Sequence, residues 1–219
     1  MIKSIFFDFD DTLVRTYQVA YRKHCNTARK LNLRIPSEKE YLSFYGLPWS
    51  DLITGLWPNV RFEDFKAVHV QEKNEDYDAV FGVNETLGFL NSKKLFLGLL
   101  TTRDEFSFNL VAQYAKVDLN YFSAVLTRTN TNFHKPDPRV FDSTIHLLSN
   151  HGIGKEETLY VGDSLYDFLA AHRAGLNFTG VLTGPTAREV FVDAGLSLEN
   201  IIPSVHELID WLKTKGWIE

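Results

Sequence analysis

The sequence predicts an α/β protein: a parallel sheet with helices on both faces, interrupted after its first strand by a helical insert. Three observations carry that expectation. Short β-branched and aromatic runs alternate with helix-like stretches over most of the chain. Leu95–Leu100 is almost continuously apolar, as a strand covered on both faces should be. Between about Tyr17 and Gly82 the rhythm stops, and the segment lacks a convincing strand.

In chain order, Ile2–Phe9 reads as the first strand and ends in acids. Tyr17, Ala20, His24, Ala28 and Leu31 then share one helical face and open the insert. The insert continues through Trp49 and Trp57, Pro48 and Pro58, and a charged stretch around Gln71–Asp78, with a second crossing near Asp78–Val83. These signals assign residues 17–82 to a helical domain, and residues 1–16 and 83–219 to the sheet domain. The second strand is Leu95–Leu100, followed by a helix over Phe106–Tyr114. Ala124–Leu126 is a short third strand. Pro138 opens a helix with Val140, Phe141, Ile145 and Leu148 on one face. Thr158–Val161 is the fourth strand, and the helix over Asp167–Ala174 stops at Gly175, a helix-ending glycine. Phe178–Leu182 is the fifth strand. In such sheets ligands sit outside the C-terminal ends of the strands.

Composition narrows the function classes. The 219 residues carry 23 Lys+Arg and 28 Asp+Glu, a formal net charge of −5. Apolar residues make up 44% and charged residues 23%, which excludes disorder as the dominant state. The mild acidity lacks the basic surplus that non-specific nucleic-acid binding needs. No run approaches the roughly 18–20 apolar residues of a membrane span. The first strand meets Asp8 too early for a signal-peptide core, so a cytoplasmic protein is expected. Cys25 is the single cysteine, which removes intrachain disulfides and cysteine-based zinc clusters.

Chemistry-bearing residues collect after the strands. Asp8-Phe9-Asp10-Asp11-Thr12 follows the first strand. In an extended chain Asp8 and Asp10 point to the same side, and two close carboxylates repel unless a cation sits between them or one takes a proton. Oxygen ligands of this kind suit Mg²⁺ where phosphate is present; the same acids could also simply cap the next helix. Gly162-Asp163-Ser164-Leu165-Tyr166-Asp167 follows the fourth strand, and its acids fit either a functional role or a helix N-terminus. His134-Lys135-Pro136-Asp137-Pro138 offers a lysine suited to phosphate, or a surface turn. Thr101-Thr102-Arg103 ends the second strand, where hydroxyls and amides suit an anion or cap a helix.

Taken together, DFDDTLV, LLTTR, HKPDP and VGDSLYDFLAAHRAG resemble, in that order, the four motifs of the haloacid dehalogenase superfamily. The resemblance covers nearly the whole chain and is closest to phosphoglycolate-phosphatase-like members with a helical cap after the first motif. It implies a Rossmann-like core with an inserted all-helical cap, acting as a Mg²⁺-dependent phosphatase on a small phosphorylated metabolite, as a monomer or homodimer. Asp8 would be the nucleophile and Asp10 the acid and base. Asp8, Asp10 through its backbone carbonyl, and Asp163 would hold Mg²⁺, with Asp167 supporting the site. Thr101 and Lys135 would bind the transferring phosphoryl group, and Thr12 would help fix the aspartate loop. Thr102, Gly46 and Trp49 are candidate substrate contacts. Tyr45-Gly46-Leu47-Pro48-Trp49 looks like the superfamily's specificity loop, or else an ordinary Gly-Pro loop with packed aromatics. The chain departs from the common pattern at Arg15-Thr16 and at Thr102 and Arg103, which bears on the substrate. A sugar-phosphate phosphomutase and a catalytically silent binding module are the alternative readings. His24, His69, His146, His151 and His206 lack metal-site spacing and are expected to be structural or solvated.

Overall fold

The computed structural model of the protein describes residues 1–72 and 77–219. The chain runs through β1 (Ser4–Phe7) and β2 (Val14–Arg15) into four helices, α1 (Tyr17–Lys30), α2 (Glu38–Leu42), α3 (Trp49–Leu56) and α4 (Phe62–His69). It continues with β3 (Asp78–Ala79), α5 (Val83–Ser92), β4 (Phe96–Leu100), α6 (Glu105–Ala115), β5 (Ala124–Leu126) and α7 (Asp142–Asn150). The last part holds β6 (Thr158–Gly162), α8 (Leu165–Ala174), β7 (Asn177–Val181), α9 (Arg188–Asp193), β8 (Ile201–Ile202) and α10 (Leu208–Thr214). Two compact units result: Met1–Arg15 with Asp78–Glu219, and Thr16–Tyr77. Within the charged stretch Gln71–Asp78, residues 73–76 lie outside the described residues.

The first unit is an α/β Rossmann-like domain built on a six-stranded sheet of order β5-β4-β1-β6-β7-β8. Every neighbouring pair is parallel. The chain leaves β1 for β4 and β5 on one side, then returns to β6 on the other, so the strand order reverses beside β1. All four residues of β1 are buried, as the near-continuous apolar run requires in a strand covered on both faces. Ser4 belongs there because its hydroxyl donates to Thr158 Oγ1 at 2.9 Å. The strand is shorter than the Ile2–Phe9 expected: Phe9 leaves the sheet and sets its ring against Phe108 of α6 at 4.8 Å, edge to face. The main core cluster includes Phe6, Phe141, Tyr160, Phe168, Phe178 and Phe191. Burial of each such ring contributes about 1.5–3 kcal/mol.

Local chemistry explains the helix boundaries. Asp104 accepts the Ser107 amide at 2.9 Å and starts α6. The helix expected from Pro138 begins as a 3₁₀ turn over Pro138–Phe141 and becomes α-helical at Asp142. The last turn of α8 ends at Gly175 with φ 79°, a left-handed conformation that suits glycine. The edge strand β8 and helices α5, α9 and α10 complete the unit beyond the elements read from the sequence.

The second unit is helical. Its core joins Tyr17, Ala28, Tyr41, Leu52, Ile53, Leu56, Trp57 and Phe65, with Trp49 and Phe62 partly buried against it. Tyr17, His24 and Ala28 face this interior from α1, as their helical spacing predicts. Cys25 is buried in the same helix as a free thiol. No helix among the described residues is long and apolar enough to cross a membrane.

Candidate active site

The parallel register fixes where the acids stand. Phe7 of β1 is level with Leu99 of β4 and Val161 of β6, so the three strands end side by side. The Asp8 amide still donates to Val161 O at 2.8 Å, which continues the ladder by one residue. Beyond it the chain folds into a tight loop. Leu13 and Val14 amides donate to Phe9 O at 2.9 and 3.1 Å, and Asp11 takes φ 54°. This curl ends the extended run of the first strand, and Asp10 stays near enough to raise the Asp8 carboxyl. Asp8 turns toward Asp163 and Asp167, while the Asp10 carboxylate does not join them; it is held by Arg103 instead.

Asp8, Asp163 and Asp167 are all buried, and each offers a carboxylate oxygen within 4.8 Å of the others. Lys135 is their counter-ion. Its Nζ donates to Asp8 Oδ1 at 2.6 Å and to Asp167 Oδ1 at 2.5 Å. It also lies 3.2 Å from the Tyr160 hydroxyl. Tyr160 in turn donates toward Asp167 Oδ1 at 3.0 Å. Asp167 sits at the third position of α8 in a reciprocal cap: its amide donates to Ser164 Oγ, and its Oδ2 accepts the Ser164 amide at 3.1 Å and the Ser164 hydroxyl. Asp167 thus caps the start of α8 and stands in the acidic cluster at once. Thr12 Oγ1 reaches Asp163 Oδ1 at 3.4 Å from the curled loop.

Three buried carboxylates against one ammonium leave an excess of negative charge. Burial pushes the Asp8 carboxyl up to about 8; Asp167 and Asp10 add to the rise, and Lys135 opposes it. Asp163 is held well above the usual carboxylate range by burial first, then by Asp167 and Asp8. Burial alone would lower the Lys135 ammonium, but Asp167 and Asp8 outweigh it and keep it well above the ordinary lysine value. Space is shaped around the same acids. A Cβ at Gly184 would fall 1.8 Å from Asp163 Oδ2, and one at Gly162 would fall 2.6 Å from Asp167 Cβ and Cγ. Hard oxygen donors within 4.8 Å of one another, which resist ionising together, fit a small divalent cation that would offset their charge.

Thr101 is buried at the end of β4, where its Oγ1 accepts the Arg103 amide at 3.1 Å; Thr102 beside it is exposed. Gly46 and Trp49 belong to the helical unit. The Trp49 indole donates to His24 Nε2 at 3.0 Å and meets the Phe62 ring at 5.0 Å, edge to face. An indole N–H only donates, so His24 Nε2 is the acceptor and its Nδ1 carries the proton, 2.7 Å from the Tyr41 hydroxyl.

Four residues of this site carry little sequence signal. Arg103 grips Asp10 from 93 positions away, with Nε 2.9 Å from both oxygens and Nη2 2.6 Å from Oδ1. Tyr160 reads only as an aromatic in a strand, and Ser164 as a loop residue before a helix. Gly184 has the weakest mark of all, a glycine shortly after a strand.

Residues 5–181 match the sequence profile of the haloacid dehalogenase-like hydrolases. The chain belongs to that family. This haloacid dehalogenase-like hydrolase is 27% identical over 194 residues to the pyrophosphatase PpaX of Anoxybacillus flavithermus, covering 86% of this chain and 87% of that one. It is 25% identical over 147 residues to the phosphoglycolate phosphatase of Nitrosococcus oceani, covering 63% of each. A haloacid dehalogenase family hydrolase from Deinococcus radiodurans R1, solved with bound phosphate and sodium, shares its fold. That likeness has a TM-score of 0.81 at 18% identity and covers 99% of this chain and 97% of the other.

Proposed function

We propose that this hydrolase is a Mg²⁺-dependent phosphatase that cleaves a small phosphorylated metabolite through an aspartyl phosphate on Asp8. The enzyme is a phosphate-ester hydrolase, in keeping with its pyrophosphatase and phosphoglycolate phosphatase relatives. The observation that carries the finer reading is the Asp8 carboxylate at the end of the central strand, buried, 2.6 Å from Lys135 Nζ and within reach of two further acids.

In this reading an Asp8 oxygen attacks phosphorus, forming the acyl phosphate while the ester oxygen departs. Asp10 gives the leaving oxygen a proton and later takes one from the water that cleaves the intermediate. Lys135, Thr101 and Thr102 bind the phosphoryl oxygens and offset their charge. Asp8, Asp163 and Asp167, with the Asp10 carbonyl, would hold Mg²⁺. The cation would supply the positive charge that lets an anionic phosphate approach an anionic nucleophile. Tyr160 and Ser164 hold Lys135 and Asp167 in place from beneath. The helical unit serves as the cap, with Gly46 and Trp49 on the segment that selects substrate.

Phosphate release from p-nitrophenyl phosphate tests the reading. Activity should vanish in excess chelator, return with Mg²⁺, and fall to background in Asp8→Asn, whose amide cannot form the acyl phosphate. Full activity with chelator present, or in Asp8→Asn, overturns it.

A further inference from the structure

Arg103 is the side chain that holds the Asp10 carboxylate. Its backbone is fixed at the end of β4, with the amide on Thr101 Oγ1 at 3.1 Å and the carbonyl accepting the Arg128 amide at 2.8 Å. Its Nη1 donates to Ser107 Oγ at 2.9 Å, which braces the guanidinium from α6. The fork closes on both Asp10 oxygens through three contacts of 2.6–2.9 Å. The two side chains are 20% and 22% exposed, open enough to meet a solute yet dry enough to escape most solvent screening.

We propose that Arg103 is the specificity-determining residue of this site, selecting phosphate monoesters whose leaving group carries a second negative charge. The inference rests on the proposed phosphatase reading, in which Asp10 serves the leaving oxygen. Both Asp10 oxygens are engaged, so Asp10 must give up Nε or Nη2 before it can reach that oxygen. A guanidinium drawn off a carboxylate in a partly dry site needs another anion, and its planar fork fits a carboxylate or a phosphate. A leaving group with its own negative charge supplies that anion beside the ester oxygen. Arg103 then exchanges one acid for another, and Asp10 is released by the substrate itself. A neutral leaving group offers no such exchange. The transferring phosphoryl group is served separately, by Lys135 and Thr101.

The test compares two substrates of matched size, 2-phosphoglycolate and 2-hydroxyethyl phosphate, which differ only in a carboxylate against a hydroxymethyl group. The wild-type enzyme with Mg²⁺ should favour the anionic ester in kcat/KM by about 10- to 100-fold, the span of one charge-assisted contact. Arg103→Gln should erase most of that ratio, chiefly by raising KM for 2-phosphoglycolate, and Arg103→Lys should restore part of it. Thermal melts check that each variant is folded, and Arg103→Lys carries the test if Arg103→Gln is not. No preference in the wild type overturns the proposal. So does an equal fall on both esters, which would make Arg103 a brace for Asp10 or a ligand of the transferred phosphate. Wild-type enzyme inactive on both esters and on p-nitrophenyl phosphate would instead remove the phosphatase reading, and the inference with it.

Discussion

A Cβ on Gly184 would lie 1.8 Å from Asp163 Oδ2 and 2.6 Å from Asp163 Cγ. The Asp163 carboxylate occupies the volume that any other residue at 184 would claim. Gly184→Ala should therefore displace that carboxylate without unfolding the sheet. The Mg²⁺ concentration for half-maximal activity should rise by about 10- to 100-fold, as for other changes that disturb a metal ligand from behind. Metal titration of activity, beside a circular dichroism spectrum matching wild type, checks this.

Stability without metal should fall as pH rises through neutrality. Burial lifts the folded-state Asp8 carboxyl to about 8, against an ordinary value of 3.8. The folded chain therefore binds more protons than the unfolded chain across that window, so stability declines with rising pH. The His69 effect below has the opposite sign and acts only below 6.5, so from 6.5 to 8 the decline comes from the buried carboxyls Asp8 and Asp163. In chelator the melting temperature should drop across this range, and the drop should flatten in Asp8→Asn. Added Mg²⁺ should raise it more at the upper end than at the lower.

The helical unit should respond to acid. Burial, with Lys23 nearby, lowers the His69 imidazolium to about 4; Glu72 opposes the shift. Thr27 Oγ1 donates to Lys23 O at 3.0 Å, so His69 Nδ1, 3.1 Å away, is the donor of that pair. His24 is also held well below the ordinary imidazole value, by burial and then by His69 and Lys23. Protonating His24 would also take away the acceptor of the Trp49 indole. The depressed His69 value makes its share of stability complete above 6.5 and lost as pH falls toward 4, and the His24 shift has the same sign. His69→Gln should make that acid loss shallower, as read from melting temperature against pH between 6.5 and 4.

The two aspartates of the first motif should separate kinetically. Asp10→Asn keeps the Asp8 nucleophile and loses an acid and base worth about 10²–10⁴-fold. With p-nitrophenyl phosphate, whose leaving group needs little protonation, the first step should outlast the second. Hydroxylamine-labile phosphate should then accumulate on the protein. Its absence from an Asp10→Asn enzyme that still turns over would deny Asp10 a part in the second step.

The sequence marks what chemistry needs at strand ends and is silent on what folding brings alongside. Asp8, Asp163 and Lys135 each also read as a helix cap or a surface turn, and they stood out only through the order of the four motifs along the chain. Arg103 read only as a departure at the end of a strand, since nothing at position 103 announces a carboxylate 93 positions earlier. The reading of Asp8 and Asp10 assumed an extended chain and had no sign of the left-handed turn at Asp11 that closes the loop after them. Tyr160 hid inside an apolar run because a strand buried on both faces accepts a tyrosine as readily as a phenylalanine once its hydroxyl finds partners. Short elements such as β8, two residues long, have too little periodicity to be read at all.

The position of β1 between β4 and β6 has a kinetic corollary. Amides along Phe6, Phe7 and Asp8 can exchange with deuterium only when the middle of the sheet opens, whereas those at the β5 and β8 edges are released by local fraying. Asp8, the proposed nucleophile, is thereby anchored in the last segment to let go. Edges and outer helices can breathe while the Asp8 carboxylate keeps its place, and deuterium uptake at Asp8 should track global unfolding.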